Sequence, residues 1–471
     1  MDAKKLLIVA PHPDDEINLA AQIIIELKKR QTEVYVLYTT NGDAEQRIGN
    51  KRINEAIEAL SLIGVQEDHI LILGYANDWE DGTHIFGSDQ IVTSKLGKTQ
   101  TNSIERHPEY CYRKNSKHHD FTFYNFKNDL KDIIIELMPD WLICVDFDKH
   151  PDHRATSLTF EIVMGEVLKE NPSYRPIVLK KYAYNGVWFG KKDYYNIPFA
   201  PTLQAPTFLY SGTVHELESP SFTWDERISF KVDQSTKTRC LSDNILYKMA
   251  KKHVSTIAWY QMQRVINDDV VYWYKPTYNL SFVGEIHASS GNVKYLNDFV
   301  CYGYNSILNE KEPFKNTCNL WQPKLEDKIK EIVISFHTPK RLRYINVYED
   351  CNIENHIKKL RVTLSNSLEV ELECNSNGTA SKLDFKKNVE ISDIKFVVEE
   401  YVGQPGIAEI ELLPEEAIIT EWPLELYEEQ VNKTAHKTIK MRVEQLLMNV
   451  RFLLSFKIKY ELDKRRTKKG E

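Results

Sequence analysis

Cysteine is scarce. Seven thiols in 471 residues, an odd number with no Cys-x-x-Cys pair, exclude a disulfide framework and read as reduced thiols in a cytosolic protein. Long apolar runs are missing as well. None approaches the roughly 18 residues that a membrane-spanning helix needs. The opening MDAKKLLIVA has a short apolar stretch that runs straight into Pro11-His12-Pro13-Asp14-Asp15. A signal peptide needs an apolar region of roughly 7–15 residues and a cleavage site, so this stretch is read as a first buried strand. No Gly-rich phosphate loop follows it, which argues against a nucleotide-binding Rossmann enzyme. Net charge is only −7, which argues against general nucleic-acid binding. With 42% hydrophobic and 27% charged residues, the chain is neither disordered nor collagenous. At roughly 100–200 residues per domain it should form two to four globular units.

The first 170 residues alternate strand and helix patterns. Strands are expected at 6–10, 34–39, 70–73 and 141–145, and helices at 16–30, 51–63, 126–138 and 153–170, where apolar residues recur at helical spacing. Strands separated by helices of this length imply an α/β unit with a Rossmann-like parallel sheet covered by helices on both faces. Ligands on such sheets sit beyond the carboxyl ends of the strands. A long loop, about 76–122, interrupts the pattern and carries His84, His107, His118 and His119, read as lid residues more than ligands. Past residue 280, short β-like runs separated by turn residues suggest an antiparallel β-sandwich. The expected division is 1–265, 280–420 and a helical tail at 421–471.

Two segments carry the chemistry. Pro11-His12-Pro13-Asp14-Asp15-Glu16 follows the first strand, and His150-Pro151-Asp152-His153-Arg154 follows the strand at 141–145. A parallel sheet brings both to one edge. Imidazole and carboxylate together suit zinc, which in catalytic sites keeps three protein ligands and a water. His12, Asp15 and His153 can supply those three. Asp14 is then a carboxylate placed to take a proton from the activated water. His150 can stabilise the charge of a tetrahedral intermediate.

These paired motifs resemble the LmbE-like, or PIG-L, zinc N-deacetylases, over about residues 1–265. By resemblance, His12, Asp15 and His153 are the zinc ligands and Asp14 the general base. His150 stabilises the transition state or protonates the leaving amine. Asn41, in a Gly-containing turn after the second strand, Arg52, in an Arg-x-x-Glu helix with Glu55, Asp78 and His253 are candidate substrate contacts. One departure is Asp148, where some members carry a tyrosine of the oxyanion hole. The implied reaction removes an N-acetyl group from a GlcNAc-type amino sugar in a glycan or glycolipid precursor.

The region 280–420 resembles a discoidin-type, galactose-binding-like domain through Ile286–Gly291, Leu296-Asn297-Asp298, Trp321-Gln322-Pro323 and Gly406–Ile410. A calcium near Asn297 and Asp298 is implied by that resemblance alone. It motivates the alternative function, a glycan-binding or scaffolding protein with a vestigial deacetylase site. From Lys433 onward, 12 basic and 4 acidic side chains give +8, leaving −15 for the rest of the chain. Val443, Leu446, Leu447, Val450 and Leu454 share one helical face among Arg442, Arg451, Lys457, Lys459 and Lys464-Arg465-Arg466. A basic amphipathic helix of this kind suits an anionic membrane surface. The expected location is therefore cytoplasmic, peripheral to the inner face of a membrane and near a lipid-linked sugar; the competing expectation is a helix docked on the acidic body.

Overall fold

The computed structural model describes residues 3–43, 49–77, 89–148, 150–183, 188–189, 201–204, 222–256, 266–307, 317–428, 437–450 and 454. Asp78, His84 and most of the basic segment, including Arg451, Lys457, Lys459 and Lys464-Arg465-Arg466, lie outside the described residues.

The chain opens with β1 (Lys5–Ala10), α1 (Asp15–Leu19), α2 (Ala21–Lys28), β2 (Glu33–Thr40), α3 (Gly49–Ser61) and β3 (Ile70–Tyr75). After the long loop, which holds α4 (Tyr110–Asn115), come α5 (Phe123–Leu137), β4 (Trp141–Val145), α6 (Pro151–Glu170) and β5 (Ile177–Lys181). A short ladder joins β6 (Trp188–Phe189) to β7 (Leu203–Gln204). Then follow β8 (Ile228–Lys231), α7 (Gln234–Lys237), α8 (Ile245–Ala250) and β9 (Asp269–Lys275). The main sheet runs β3-β2-β1-β4-β5-β9-β8. Its first five strands are parallel, and β9 and β8 close it antiparallel. Leu6–Ala10 is buried throughout, because helices cover both faces; hence its continuous apolar run rather than an alternation. The expected helix at 16–30 is instead two, broken at Ala20, whose φ of −146° leaves the helical region.

Strand order reverses at β1, which lies between β2 and β4. A switch point of this kind opens a crevice beyond the strand ends. Both motifs flank it, one following β1 and the other following β4.

The second unit contains β10 (Glu285–Ala288), α9 (Tyr304–Ile307), β11 (Glu331–Glu349), β12 (His356–Leu364), β13 (Glu369–Glu373), β14 (Ser381–Val402) and β15 (Ile407–Leu413). It is an antiparallel, sandwich-like sheet ordered β10-β11-β14-β12-β13, with β15 also on β11. Where the sequence suggests separate short runs, β11 is one long strand of 19 residues. Its pairing with β14 shifts register between Ser335 and Lys340 and again between Leu342 and Tyr344. Such irregularities bend a strand, and they let the first half of β11 pair with β10 and the second half with β15. Ile334, Leu342, Ile345, Val362, Phe396 and Ile410 fill the core beneath.

The two units share packing. Phe147 and Leu158 of the first meet Val300, Tyr302 and Cys351 of the second in one apolar cluster. Gly165 of α6 lies so close to the backbone of Asp298 that a Cβ there would stand 2.1 Å from its carbonyl oxygen. The chain then returns to the first unit. The backbone N–H of Lys231 donates to Glu425 O, and that of Tyr427 to Ser229 O, both at 2.9 Å. A helix at 439–450 docks beside α8, with Met441 and Met448 buried in the first unit's core. Glu444 accepts from the backbone N–H of Leu241 at 2.9 Å. Val443, Leu446, Leu447, Val450 and Leu454 stay exposed. Among the described residues, no helix is long and apolar enough to cross a membrane.

Candidate metal centre

The turn after β1 is built by its own residues. The backbone N–H groups of Asp14 and Asp15 donate to His12 O at 2.9 and 3.1 Å. Asp15 Oδ2 accepts from the His12 backbone N–H at 3.0 Å and lies 3.0 Å from His12 Nδ1. At the other motif, Pro151 begins α6, where its missing N–H costs nothing. His150 caps that helix, its Nδ1 accepting from the Asp152 N–H at 3.2 Å. A neutral His150 ring therefore carries its proton on Nε2.

The two motifs meet across the crevice. His12 Nε2 lies 3.0 Å from Asp152 Oδ2, and His153 Nδ1 lies 2.8 Å from Asp148 Oδ2. Each carboxylate accepts a ring N–H, which turns the other nitrogen of each histidine into an acceptor. Those nitrogens face each other and Asp15. His153 Nε2 is 3.3 Å from His12 Nδ1 and 3.3 Å from Asp15 Oδ2. Three lone-pair donors thus form a triangle with edges of 3.0–3.3 Å. Tetrahedral ligands bonded at roughly 2.0–2.1 Å stand about 3.3–3.4 Å apart, so the donor set fits a small divalent cation. Three acceptors pointing inward in a buried site require positive charge between them. Asp148 and Asp152 are partners of the kind that orient and activate metal-binding histidines. His12, His150 and His153 also form a group whose potential ligand atoms lie within 4.8 Å of one another.

The electrostatics agree. Burial would raise the Asp15 carboxyl, but His153 and His12 outweigh it and hold it well below the ordinary range. Burial would lower His153, but Asp148 and Asp15 drive it well above the ordinary histidine value. His12 is raised by Asp15 and Asp152 against the same burial. His150, desolvated and beside His12, is pushed down to about 3.

Asp14 stands at the edge of this cluster. Arg52 of α3 donates from Nη2 to Asp14 Oδ1 at 3.0 Å and from Nη1 to Gly42 O at 3.3 Å. Gly42 has φ +67°, and a Cβ there would press on Pro13 and Arg52, so this turn requires glycine. Asn77, after β3, ties the parts together. With its amide turned to the orientation that satisfies both of its atoms, its nitrogen donates to Asp152 Oδ2 at 2.8 Å and its oxygen accepts from Arg52 Nη1 at 3.1 Å.

Of the expected site residues, His12, Asp14, Asp15, His150, His153 and Arg52 converge. Arg52 is buried against Asp14, which makes it a positioning residue for that carboxylate rather than a free substrate contact. His253 corrects the expectation that it lines the site. It has no exposed surface, and its Nε2 meets Glu16 Oε1 at 2.6 Å behind α1. Asn41 likewise shapes the turn, donating to Asn102 Oδ1 at 3.0 Å and accepting from the Asp43 N–H at 2.8 Å. The described loop histidines are held by partners: His107 Nε2 meets Ile70 O at 2.7 Å, and His118 and His119 pair with Glu109 and Asp129. Sequence reasoning missed the roles of Asp148, Asp152 and Asn77. Asp148 meets His153 within its own segment, whereas the partner of Asp152, His12, lies across the crevice.

An open α/β sheet with histidines and carboxylates converging beyond its carboxyl edge is an architecture suited to metal-assisted hydrolysis. Residues 7–163 match the PIG-L family model, described as GlcNAc-PI de-N-acetylase; the N-terminal part of this chain is a PIG-L, LmbE-like domain. No curated protein matches the sequence. Among solved structures, the N,N'-diacetylchitobiose deacetylase of Pyrococcus horikoshii is 19% identical, with a TM-score of 0.26, and the match covers 41% of this chain and 65% of that one. The chain thus spans less than two thirds of that enzyme. The family 32 carbohydrate-binding module of C. perfringens NanJ, solved with galactose, is 16% identical with a TM-score of 0.23, covering 28% of this chain and 94% of the module. Discoidin II of Dictyostelium discoideum is 17% identical with a TM-score of 0.21, covering 27% of this chain and 53% of that one.

Proposed function

We propose that this chain is a zinc-dependent N-deacetylase that hydrolyses the acetamide of a GlcNAc-type amino sugar in a glycan or glycolipid precursor. The observation that carries this is the triangle of His12 Nδ1, Asp15 Oδ2 and His153 Nε2 within a PIG-L domain, each histidine oriented by its own carboxylate. Bound there, zinc acidifies water and polarises a carbonyl. The chain's own residues handle the protons. Asp14, held by Arg52, takes a proton from the attacking water. His150, with its proton on Nε2, donates a hydrogen bond to the oxyanion that develops on the carbonyl. As the C–N bond breaks, the Asp14 carboxyl returns that proton to the departing amine, leaving acetate and a free amino sugar.

Two further readings belong to this proposal. The exposed apolar row on the helix at 439–450, within a segment of net charge +8, supports contact with an anionic membrane surface. Truncation at Lys433 should lower binding to anionic vesicles, and high salt should weaken it; unchanged partitioning would remove this reading. The discoidin-like unit, packed on α6, is read as a support for the catalytic helix. A glycan-binding protein with a vestigial site is disfavoured by the complete donor triangle. Purified protein should contain a divalent metal and release acetate from N-acetylglucosamine derivatives, including lipid-linked ones. Absence of both metal and acetate release across that panel would refute the enzyme.

A further inference from the structure

A second convergence of metal-binding side chains lies away from the crevice. Potential ligand atoms of Cys111, His119 and Asp129 all fall within 4.8 Å of one another. Cys111 and Asp129 are buried, as is the neighbouring Glu109, while the His119 side chain is 28% exposed. We propose that Cys111, His119 and Asp129, with Glu109 beside them, form a second divalent-cation site that staples the long loop to β3 and α5.

Ligand chemistry selects the cation. A thiolate with imidazole and carboxylate suits zinc and similar thiophilic metals, not magnesium or calcium. The geometry is close-knit. His119 Nδ1 lies 2.8 Å from Asp129 Oδ1, Cys111 Sγ lies 3.9 Å from Glu109 Oε1, and Thr101 Oγ1 lies 3.2 Å from both Cys111 Sγ and Glu109 Oε1. Tyr75, at the end of β3, donates to Asp129 Oδ2 at 2.8 Å. Burial pushes the Cys111 thiol and the Asp129 carboxyl up, so each favours its proton until a cation replaces it. A cation bound there would displace the Cys111 thiol proton, with no change of oxidation state. Partly exposed His119 gives the ion a way in.

The location gives the site a purpose. Its residues come from the start of α4, from the chain after it and from α5, so one ion would join segments that also pack through Tyr110, Phe121 and Phe126 in the first unit's core. The same loop supplies Lys98 and Asn102, which hold Asp43 and Asn41 at the turn beside the first centre. Tyr75 precedes Asn77, the bridge between Arg52 and Asp152, by two positions. An ordered loop therefore braces the wall of the candidate catalytic site.

The test strips full-length protein with chelator and reloads it with cobalt(II). A thiolate-to-cobalt charge-transfer band in the near ultraviolet is expected, and the first centre, with nitrogen and oxygen donors only, cannot produce it. Elemental analysis should give two metal equivalents in the wild type. Cys111→Ser should hold one and lose the band; His12→Ala should hold one and keep it. Should Cys111→Ser misfold, His119→Gln should weaken the band, and the wild-type spectrum alone remains decisive. A folded, cobalt-loaded wild type without the band, or a band that survives in Cys111→Ser, overturns the second site. One equivalent with the band intact supports it and instead removes the metal from the deacetylase reading.

Discussion

At the residue scale, three carboxylates divide the labour around the first centre. Asp14 faces the chemistry, whereas Asp148 and Asp152 fix which nitrogen of each histidine is free. Their substitutions should separate accordingly. Asp14→Asn should lower turnover by about 10²–10⁴-fold while metal content stays unchanged, because loss of a general base spares the ligands; metal analysis beside acetate release checks this. Asp148→Asn or Asp152→Asn should instead weaken metal affinity by about 10–100-fold, read by chelator competition. Metal affinity equal to the wild type in both variants would contradict the assigned tautomers. Glu349 offers a test of a different kind. Burial pushes its carboxyl up to about 9, from an ordinary 4.5. The folded state therefore binds more protons than the unfolded chain between those values, and stability falls as pH rises through that window, by at most about 1.4 kcal/mol per pH unit. Glu349→Gln can still accept from the Ile357 N–H. It should raise the melting temperature at pH 8, leave it nearly unchanged near pH 4.5, and flatten the pH dependence between them.

At the element scale, α6 is the member on which both units depend. Its first turn carries His150, Asp152 and His153, and its middle packs on the second unit. Gly165 is the contact that permits this approach, since any side chain there would meet the Asp298 carbonyl. Gly165→Ala should destabilise by about 1–3 kcal/mol through overpacking. Because the shift displaces the helix that holds one of the three candidate ligands, His153, together with Asp152 and its cap His150, activity should fall as well. Thermal melts and acetate release together test this; a variant with wild-type stability would show that the contact is looser than it stands. The elements themselves were legible in part. Strands β1 to β4 follow from short apolar runs, and α3, α5 and α6 from helical spacing. The break at Ala20 was not legible, because Ile17, Ala21 and Ile24 keep one apolar pattern across it. The merging of short β-runs into β11 was also hidden, since polar residues at a bend look like turns.

At the scale of the whole molecule, the charge division into −15 and +8 marks a segment that is only partly a free tail. Residues 425–427 lie along β8, and the helix at 439–450 buries Met441 and Met448 in the first unit. Replacing Met441 and Met448 together with Asp should release this helix and destabilise the first unit, measured by proteolysis and melting; unchanged proteolysis would argue against docking. The sequence by itself determined the α/β alternation, the sandwich-like second half and the two His-and-Asp motifs, because periodicity and short motifs are local properties of the chain. It also implied their convergence, since parallel strands deliver both loops to one edge. Only the tertiary structure decided how the site is held. Asp152 meets His12 across 140 positions, and His253 meets Glu16 across 237. Tautomer-fixing hydrogen bonds and buried ion pairs of this range depend on which backbones lie side by side, and no local pattern records that.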